Sequence, residues 1–364
     1  MDTTRALHEL GQSLWLDNIT RTMLDDGTLR RYIEKYSVTG LTSNPTIFDE
    51  AIGKSTAYDA GIREKVGQGK AGEALFMELA LEDLRRAADL FRPVWQATGG
   101  VDGFVSMEVS PLLAADTTGT IAAAERIHRD AARDNLLVKI PGTPEGIPAI
   151  EAAIFAGIPV NVTLLFSTEQ YLAAAEAYVR GIERRIAAKR DPRVASVASL
   201  FVSRWDRAVA EQAPAALRNR LGIAVGQQTY RAYRELLASA RWRALAASGA
   251  LPQRLLWAST GTKDPSAPDT LYVQSLAAPD TINTMPEKTL LAFADHGRLS
   301  ATLAPDGGDS SAVLGRFADA GIDAAALGRK LQIDGAAAFV TSWNELMRQI
   351  ARKGAAPGGV AVNA

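Results

Sequence analysis

Lys139 stands inside the apolar run Leu136-Leu137-Val138-Lys139-Ile140, which leads into Pro141-Gly142. A short apolar run ending in a turn reads as a buried strand. An unpaired ammonium buried there costs several kcal/mol or sheds its proton. The neutral amine that desolvation leaves can attack a carbonyl and form an imine. A lysine at a strand end that snorkels outward or pairs with a carboxylate is the alternative reading.

Other strand-like runs carry polar residues where apolar ones are expected, each toward the run's C-terminal end. Asp17 ends Leu14-Trp15-Leu16, and Glu108 lies inside Val105-Ser106-Met107-Glu108-Val109. Asn161 and Thr163 alternate with Val160, Val162 and Leu164, so both project from one face of their strand. Ser199 lies in Val197-Ala198-Ser199-Leu200-Phe201, and Asn44 follows Leu41-Thr42-Ser43 just before Pro45. Singly, each has a bland role: Asp17 as a helix cap, Asn44 as a turn former, Thr163 and Ser199 as satisfied core hydroxyls. Together they supply an acid, a lysine and a ring of amides and hydroxyls on successive strands.

Their convergence depends on the elements that carry them. Strands are expected over 14–16, 40–42, 103–109, 136–140, 160–164, 197–201, 255–259 and 281–284. Helical spacing of apolar residues fills 73–95, 121–133, 168–189, 204–210 and 227–247, and a helix over 3–12 precedes the first strand. Strict alternation predicts an α/β fold, a closed (β/α)8 TIM barrel, with an open doubly wound sheet as the second arrangement. In a barrel all the strand C-termini share one mouth, which brings the polar residues to Lys139. The barrel domain is expected over 1–299. Helices follow over 300–353, with an N-cap aspartate at Asp323 after the break at Gly321-Ile322. The last helix, over 334–353, places Phe339, Trp343 and Met347 on one face, to pack on the barrel or on a second subunit. The glycine- and alanine-rich tail 354–364 is expected to be disordered.

Composition removes several other functions. The chain has 364 residues, 47% hydrophobic and 22% charged, with a formal net charge of −1, so no basic field invites nucleic acid or an anionic membrane. It has no cysteine, which excludes disulfides, thiolate catalysis and thiolate metal sites. His8, His128 and His296 lie far apart, in no metal-ligand spacing, so neither a metal nor a cofactor is expected. Gly53-Lys54-Ser55 is no phosphate-binding loop, because Phe48 occupies the position of that motif's first glycine. The N-terminus has no signal-peptide pattern, no apolar run is long enough to span a membrane, and the cytoplasm is the expected compartment.

Five segments in order carry a resemblance to the transaldolases. They are Trp15-Leu16-Asp17-Asn18, Thr39-Gly40-Leu41-Thr42-Ser43-Asn44-Pro45, Val105-Ser106-Met107-Glu108-Val109, Val138-Lys139-Ile140-Pro141, and Asn161-Val162-Thr163-Leu164-Leu165-Phe166-Ser167. The Thr-x-Asn-Pro turn and the Asn-x-Thr-Leu-x-Phe-Ser strand are its most specific parts. The resemblance spans about residues 10–290, and the helical C-terminal part suits the family's longer members. It implies transfer of a dihydroxyacetone unit from sedoheptulose 7-phosphate to glyceraldehyde 3-phosphate. It also implies sugar phosphates as the partners of a monomer or homodimer, and these roles. Lys139 forms the imine, Asp17 moves the C4 hydroxyl proton, and Glu108 with Thr163 and a water serves the dehydration. Thr42, Asn44, Asn161, Ser199, Phe201 and Ser259 contact the substrate, and Arg204 binds phosphate. The family's second arginine, in an Ala-Ser-x-Arg pattern, is replaced here by Gly261 in Ala258-Ser259-Thr260-Gly261-Thr262-Lys263, which makes Lys263 the substitute cation. An aldolase that releases free dihydroxyacetone from fructose 6-phosphate, or a barrel that has lost catalysis, are the competing readings.

Overall fold

The computed structural model describes residues 2–299 and 301–355. Eight strands form the core: β1 (Ser13–Leu16), β2 (Val38–Leu41), β3 (Val105–Glu108), β4 (Leu136–Pro141), β5 (Val160–Leu165), β6 (Ser196–Phe201), β7 (Gln253–Ala258) and β8 (Thr281–Met285). They close into a barrel in chain order, every neighbour parallel, and β8 pairs with β1 through Thr284 opposite Trp15. That last pairing excludes the open doubly wound sheet. Every strand residue is buried, as a sheet enclosed by helices on one face and by its own packed interior on the other requires.

The barrel's N-terminal end is closed by polar groups that satisfy one another. Arg254 Nη2 donates to Ser13 Oγ and to the Thr281 carbonyl, both at 2.8 Å. Asp102 accepts from the Trp15 indole N–H (2.8 Å) and from the Gly103 N–H (2.9 Å), and also from Ser13 Oγ. Trp15 fills the barrel beside Gly40, where a Cβ would lie 2.7 Å from the indole ring and 2.7 Å from the Phe104 carbonyl. The indole and the missing side chain are one packing solution.

Helix boundaries depart from the apolar periodicity where local hydrogen bonding decides them. The opening helix stops at Glu9, with Gly11 at φ 98° turning the chain toward β1. The single helix expected over 227–247 is two, Leu221–Ala238 and Ala240–Ala247. Ser239 breaks it in an extended conformation, and its hydroxyl accepts from the Trp242 N–H at 3.1 Å. Apolar periodicity does not mark the helices at Thr28–Tyr36, Pro45–Gly53, Asp59–Gly67, Gly146–Ala156 and Glu287–His296.

Beyond β8 and the helix Glu287–His296 come Ser310–Asp319 and a 32-residue helix, Ala324–Ala355, which begins a full ten residues before the expected 334. Asp323 caps it, accepting from the Ala326 N–H at 3.0 Å. The long helix crosses the mouth of the barrel and packs on Pro45–Gly53, Asp59–Gly67 and Gly72–Ala97 of the same chain. Trp343 meets Phe76 edge-on at 5.3 Å, and Phe76 meets Phe48 at 5.2 Å. Lys353 pairs with Asp59 at 2.6 Å, and Gln349 Nε2 donates to Asp49 at 2.6 Å. The tail expected over 354–364 lies, beyond Ala355, outside the described residues. No helix among the described residues is long and apolar enough to cross a membrane.

Candidate active site

Strand register sets the centre of the mouth. Lys139 on β4 lies opposite Glu108 on β3 and opposite Asn161 on β5, so the three side chains stand abreast at one height. Lys139 Nζ is 3.3 Å from Glu108 Oε2, and the two side chains are only 6% and 7% exposed. The same Nζ donates to the Ser43 carbonyl at 2.9 Å. The buried ammonium is therefore not isolated: of the two readings open from sequence, pairing with a carboxylate describes it. The carboxylate contact is an ion pair without hydrogen-bond geometry, and Glu108 Oε2 has no hydrogen-bond partner. Ser43 is itself held, its hydroxyl donating to the Ser106 carbonyl at 2.8 Å.

Asp17 follows β1 and accepts from the Thr42 hydroxyl at 2.7 Å, while Thr42 and Thr284 hydroxyls also stand 2.7 Å apart. The Asp17 carboxyl is enclosed by barrel atoms with one side on the cavity. Burial lifts its pKa above the usual carboxylate value, against the Thr42 bond and the charges of Lys139, Lys263 and Arg204. Burial likewise lifts Glu108, against the attraction of Lys139, with Asp17 adding to the rise. Two raised carboxyls thus flank one amine, an arrangement suited to moving protons near neutral pH.

Asn161 is fully buried and engaged at both ends of its amide. Its Nδ2 donates to Ser106 Oγ at 3.0 Å, and its Oδ1 accepts from Ser199 Oγ at 2.7 Å. Thr163 Oγ1, two residues on, is buried with no partner. Immediately after it Leu164 adopts φ 58°, and the β5–β6 register shifts between Val162 and Leu165. Gln332 of the C-terminal helix, itself buried, donates from Nε2 to the carbonyls of Leu164 and Gly142, both at 2.9 Å. A leucine in the left-handed region is an outlier that needs support from its surroundings, and these bonds supply it. Ser259, after β7, is a second such residue, at φ 56°, with its hydroxyl 2.9 Å from that of Ser203.

These groups surround a cavity of about 340 Å³. Asp17, Thr42, Asn44, Lys139, Thr163, Ser199, Phe201, Arg204, Ser259 and Lys263 all line it. Glu108 and Asn161 stand behind that wall, so Asn161 meets the cavity through Ser199 rather than directly. Asn44 also caps the helix Pro45–Gly53, its Oδ1 accepting from the Ile47 N–H at 3.1 Å. Lys263 is exposed at the rim, with Nζ near Gly261.

Residues 14–350 match the family model described as transaldolase/fructose-6-phosphate aldolase. A transaldolase of Arthrobacter sp. (strain FB24) is 45% identical over 356 residues, spanning 95% of this chain and 96% of that protein. The chain belongs to the transaldolase/fructose-6-phosphate aldolase family. A transaldolase of Thermobifida fusca (strain YX) is 45% identical over 361 residues, with 97% and 98% of the two chains covered. One of Thiobacillus denitrificans (strain ATCC 25259 / T1) is 44% identical over 358 residues, or 96% of this chain and all of its own length.

Several residues of this family member's site escaped the sequence reading. Thr284 could have been found, since it is a polar residue at the end of an apolar strand, like those on β5 and β6. Ser106 sat in a quoted motif, but its hydroxyl's part in holding Asn161 depends on the β3–β5 geometry. Phe339 lines the cavity, although its helical stripe pointed only to packing.

Proposed function

We propose that the protein is a transaldolase of the non-oxidative pentose phosphate pathway, acting through an imine on Lys139. The supporting observation is one buried lysine between two carboxyls of raised pKa at the mouth of a 340 Å³ polar cavity. Full-length relatives named transaldolase support the same reading.

Glu108 takes the proton of the Lys139 ammonium, and the free amine attacks the C2 carbonyl of the ketose phosphate. The protonated Glu108, through a water held between its Oε2 and Thr163 Oγ1, returns a proton to the carbinolamine hydroxyl, which leaves as water. Asp17 then removes the C4 hydroxyl proton, the C3–C4 bond breaks, and its electron pair passes into the imine to give an enamine. Thr42 holds the Asp17 carboxylate in place. Asn44 and Ser199, with Asn161 fixing Ser199, hold the hydroxyls of the three-carbon unit until glyceraldehyde 3-phosphate arrives. Addition runs the steps backward, Asp17 returning its proton. Phe201 and Ser259 line the path toward the phosphate end, where Arg204 and Lys263 supply the positive charge. A cytoplasmic monomer or homodimer working on phosphorylated sugars fits this chemistry.

Turnover of fructose 6-phosphate is measured with and without erythrose 4-phosphate, following glyceraldehyde 3-phosphate and free dihydroxyacetone together. Glyceraldehyde 3-phosphate formed only with the acceptor, and no free dihydroxyacetone, is the expected result. Stoichiometric dihydroxyacetone without acceptor would make the protein an aldolase, and no product in either case would leave a non-catalytic barrel.

A further inference from the structure

Arg204 enters the cavity from the first turn of the helix Ser203–Ala208, directly after β6. Among the described residues its guanidinium forms no hydrogen bond or ion pair. It lies instead between two rings, its central carbon 5.1 Å from the centroid of Phe201 and 5.9 Å from that of Phe339. Phe201 ends the strand that leads into the helix carrying Arg204. Phe339 arrives on the C-terminal helix.

The same helix face makes room for the guanidinium. At Gly335 a Cβ would stand 3.2 Å from Arg204 Nη1 and 3.0 Å from Leu164 Cδ2. Gln332 fixes the height of the helix over the mouth through its two bonds to the ends of β4 and β5. Gln332, Gly335 and Phe339 follow at steps of three and four, so they share one helix face.

We propose that the C-terminal helix forms one wall of the phosphate site, with Phe339 and Gly335 as positioning residues that aim Arg204 and so set the preference for phosphorylated ketoses. Ring faces attract a guanidinium without occupying its N–H groups, so its donors stay free for phosphate oxygens. An arginine steadied by carboxylates would have spent both charge and donors on them. Burial lowers the Arg204 pKa, with Arg207 adding to that and Asp17 and Glu108 opposing it, which marks a poorly solvated cation. Such a cation gains most from an incoming dianion.

The choice of ketose phosphate rests on the transaldolase reading, but phosphate binding itself does not. Phe339→Leu keeps an apolar side chain and removes the ring. Calorimetry with inorganic phosphate on the full chain is expected to show affinity weakened about 3- to 10-fold. The ratio of borohydride-trapped imine with fructose 6-phosphate to that with unphosphorylated fructose should fall by the same factor, and Phe339→Tyr should restore both. Because Phe339 is nearly buried, Gly335→Ala supplies a second route. Alanine favours the helix but crowds Arg204, and the same phosphate-selective loss is expected. Unchanged phosphate affinity in folded Phe339→Leu and Gly335→Ala, or equal losses with fructose and fructose 6-phosphate, would overturn the proposal. If the native protein binds phosphate through this wall yet gives no product from fructose 6-phosphate and erythrose 4-phosphate, the transaldolase reading fails and the wall stands.

Discussion

Replacing Glu108 by glutamine isolates the step that makes the imine. Glutamine keeps the size of the side chain and removes the charge 3.3 Å from Lys139 Nζ. Two unit charges at that distance attract by about 5 kcal/mol at an effective dielectric constant of about 20, before desolvation is subtracted. The variant leaves Lys139 only its 2.9 Å bond to the Ser43 carbonyl. More important for the chemistry, an amide can neither take the lysine's proton nor return one to the carbinolamine oxygen. Loss of such a general acid–base group slows a step by about 10²–10⁴-fold, or about 2.7–5.5 kcal/mol of barrier. The pH dependence has a definite sign. Burial raises the Glu108 pKa, so the carboxylate that takes the Lys139 proton is lost at higher pH than an ordinary glutamate's would be, and imine formation declines as pH falls through that value. The glutamine variant has no such limb. Rapid-quench borohydride trapping with fructose 6-phosphate, read by intact mass over about pH 5 to 9, measures both effects. A variant that trapped within about threefold of the native rate at every pH, with the native decline toward acid, would refute the role given to Glu108.

Asp17→Asn should trap the imine readily yet release glyceraldehyde 3-phosphate about 10²–10⁴-fold more slowly in a single turnover, because only the C4 proton transfer loses its base. Asp206 is buried and accepts from the Leu221 and Gly222 N–H groups and the Tyr272 hydroxyl, yet burial still raises its pKa to about 6. The folded state therefore holds the proton to higher pH than the unfolded chain. Stability from this group is complete below about pH 4 and falls by about 3 kcal/mol as pH passes 6, and urea midpoints of Asp206→Asn should lack that slope. Gly40→Ala, with its Cβ 2.7 Å from the Trp15 indole, should lower stability by about 1–3 kcal/mol in the same assay, and a native-like midpoint would show the barrel interior to be looser than described.

The strands were legible because each is an apolar run too short for a helix, bounded by turn residues. All eight expected runs overlap an observed strand. Polar residues at the ends of those runs marked the mouth for the same reason: within an apolar strand, Lys139, Glu108 and Asn161 are conspicuous. Contacts between residues far apart in sequence were not legible. The Lys139–Glu108 pair follows from β3–β4 register, and nothing in either run states that register. Helices such as Pro45–Gly53 and Gly146–Ala156 were missed because proline and glycine interrupt them and, in the second, apolar residues on every face blur the periodicity. Phe339 was visible as part of a stripe, but the partner of a helix face is a tertiary fact.

The two carboxyls show how environment, more than residue type, divides the work around a single amine. Asp17 is tied by the Thr42 hydroxyl and faces the cavity, which suits the proposed proton exchange with the substrate. Glu108 is held behind the wall beside Lys139, with an oxygen that has no hydrogen-bond partner, which suits the proposed exchange with the amine and with water. Exchanging their positions would serve neither step, because Asp17 has no direct contact with Nζ and Glu108 does not line the cavity. Register produces that division: β3, β4 and β5 place Glu108, Lys139 and Asn161 abreast, while Asp17 lies just past the end of β1. The break in β5 at Leu164 follows directly on Thr163, whose hydroxyl is left free beside the amine's layer. Gln332 bonds to that break from the C-terminal helix, so the helix proposed to position Arg204 also stabilises the strand end that carries Thr163. The ends of the cavity proposed to take phosphate and to form the imine are thereby joined through one helix face.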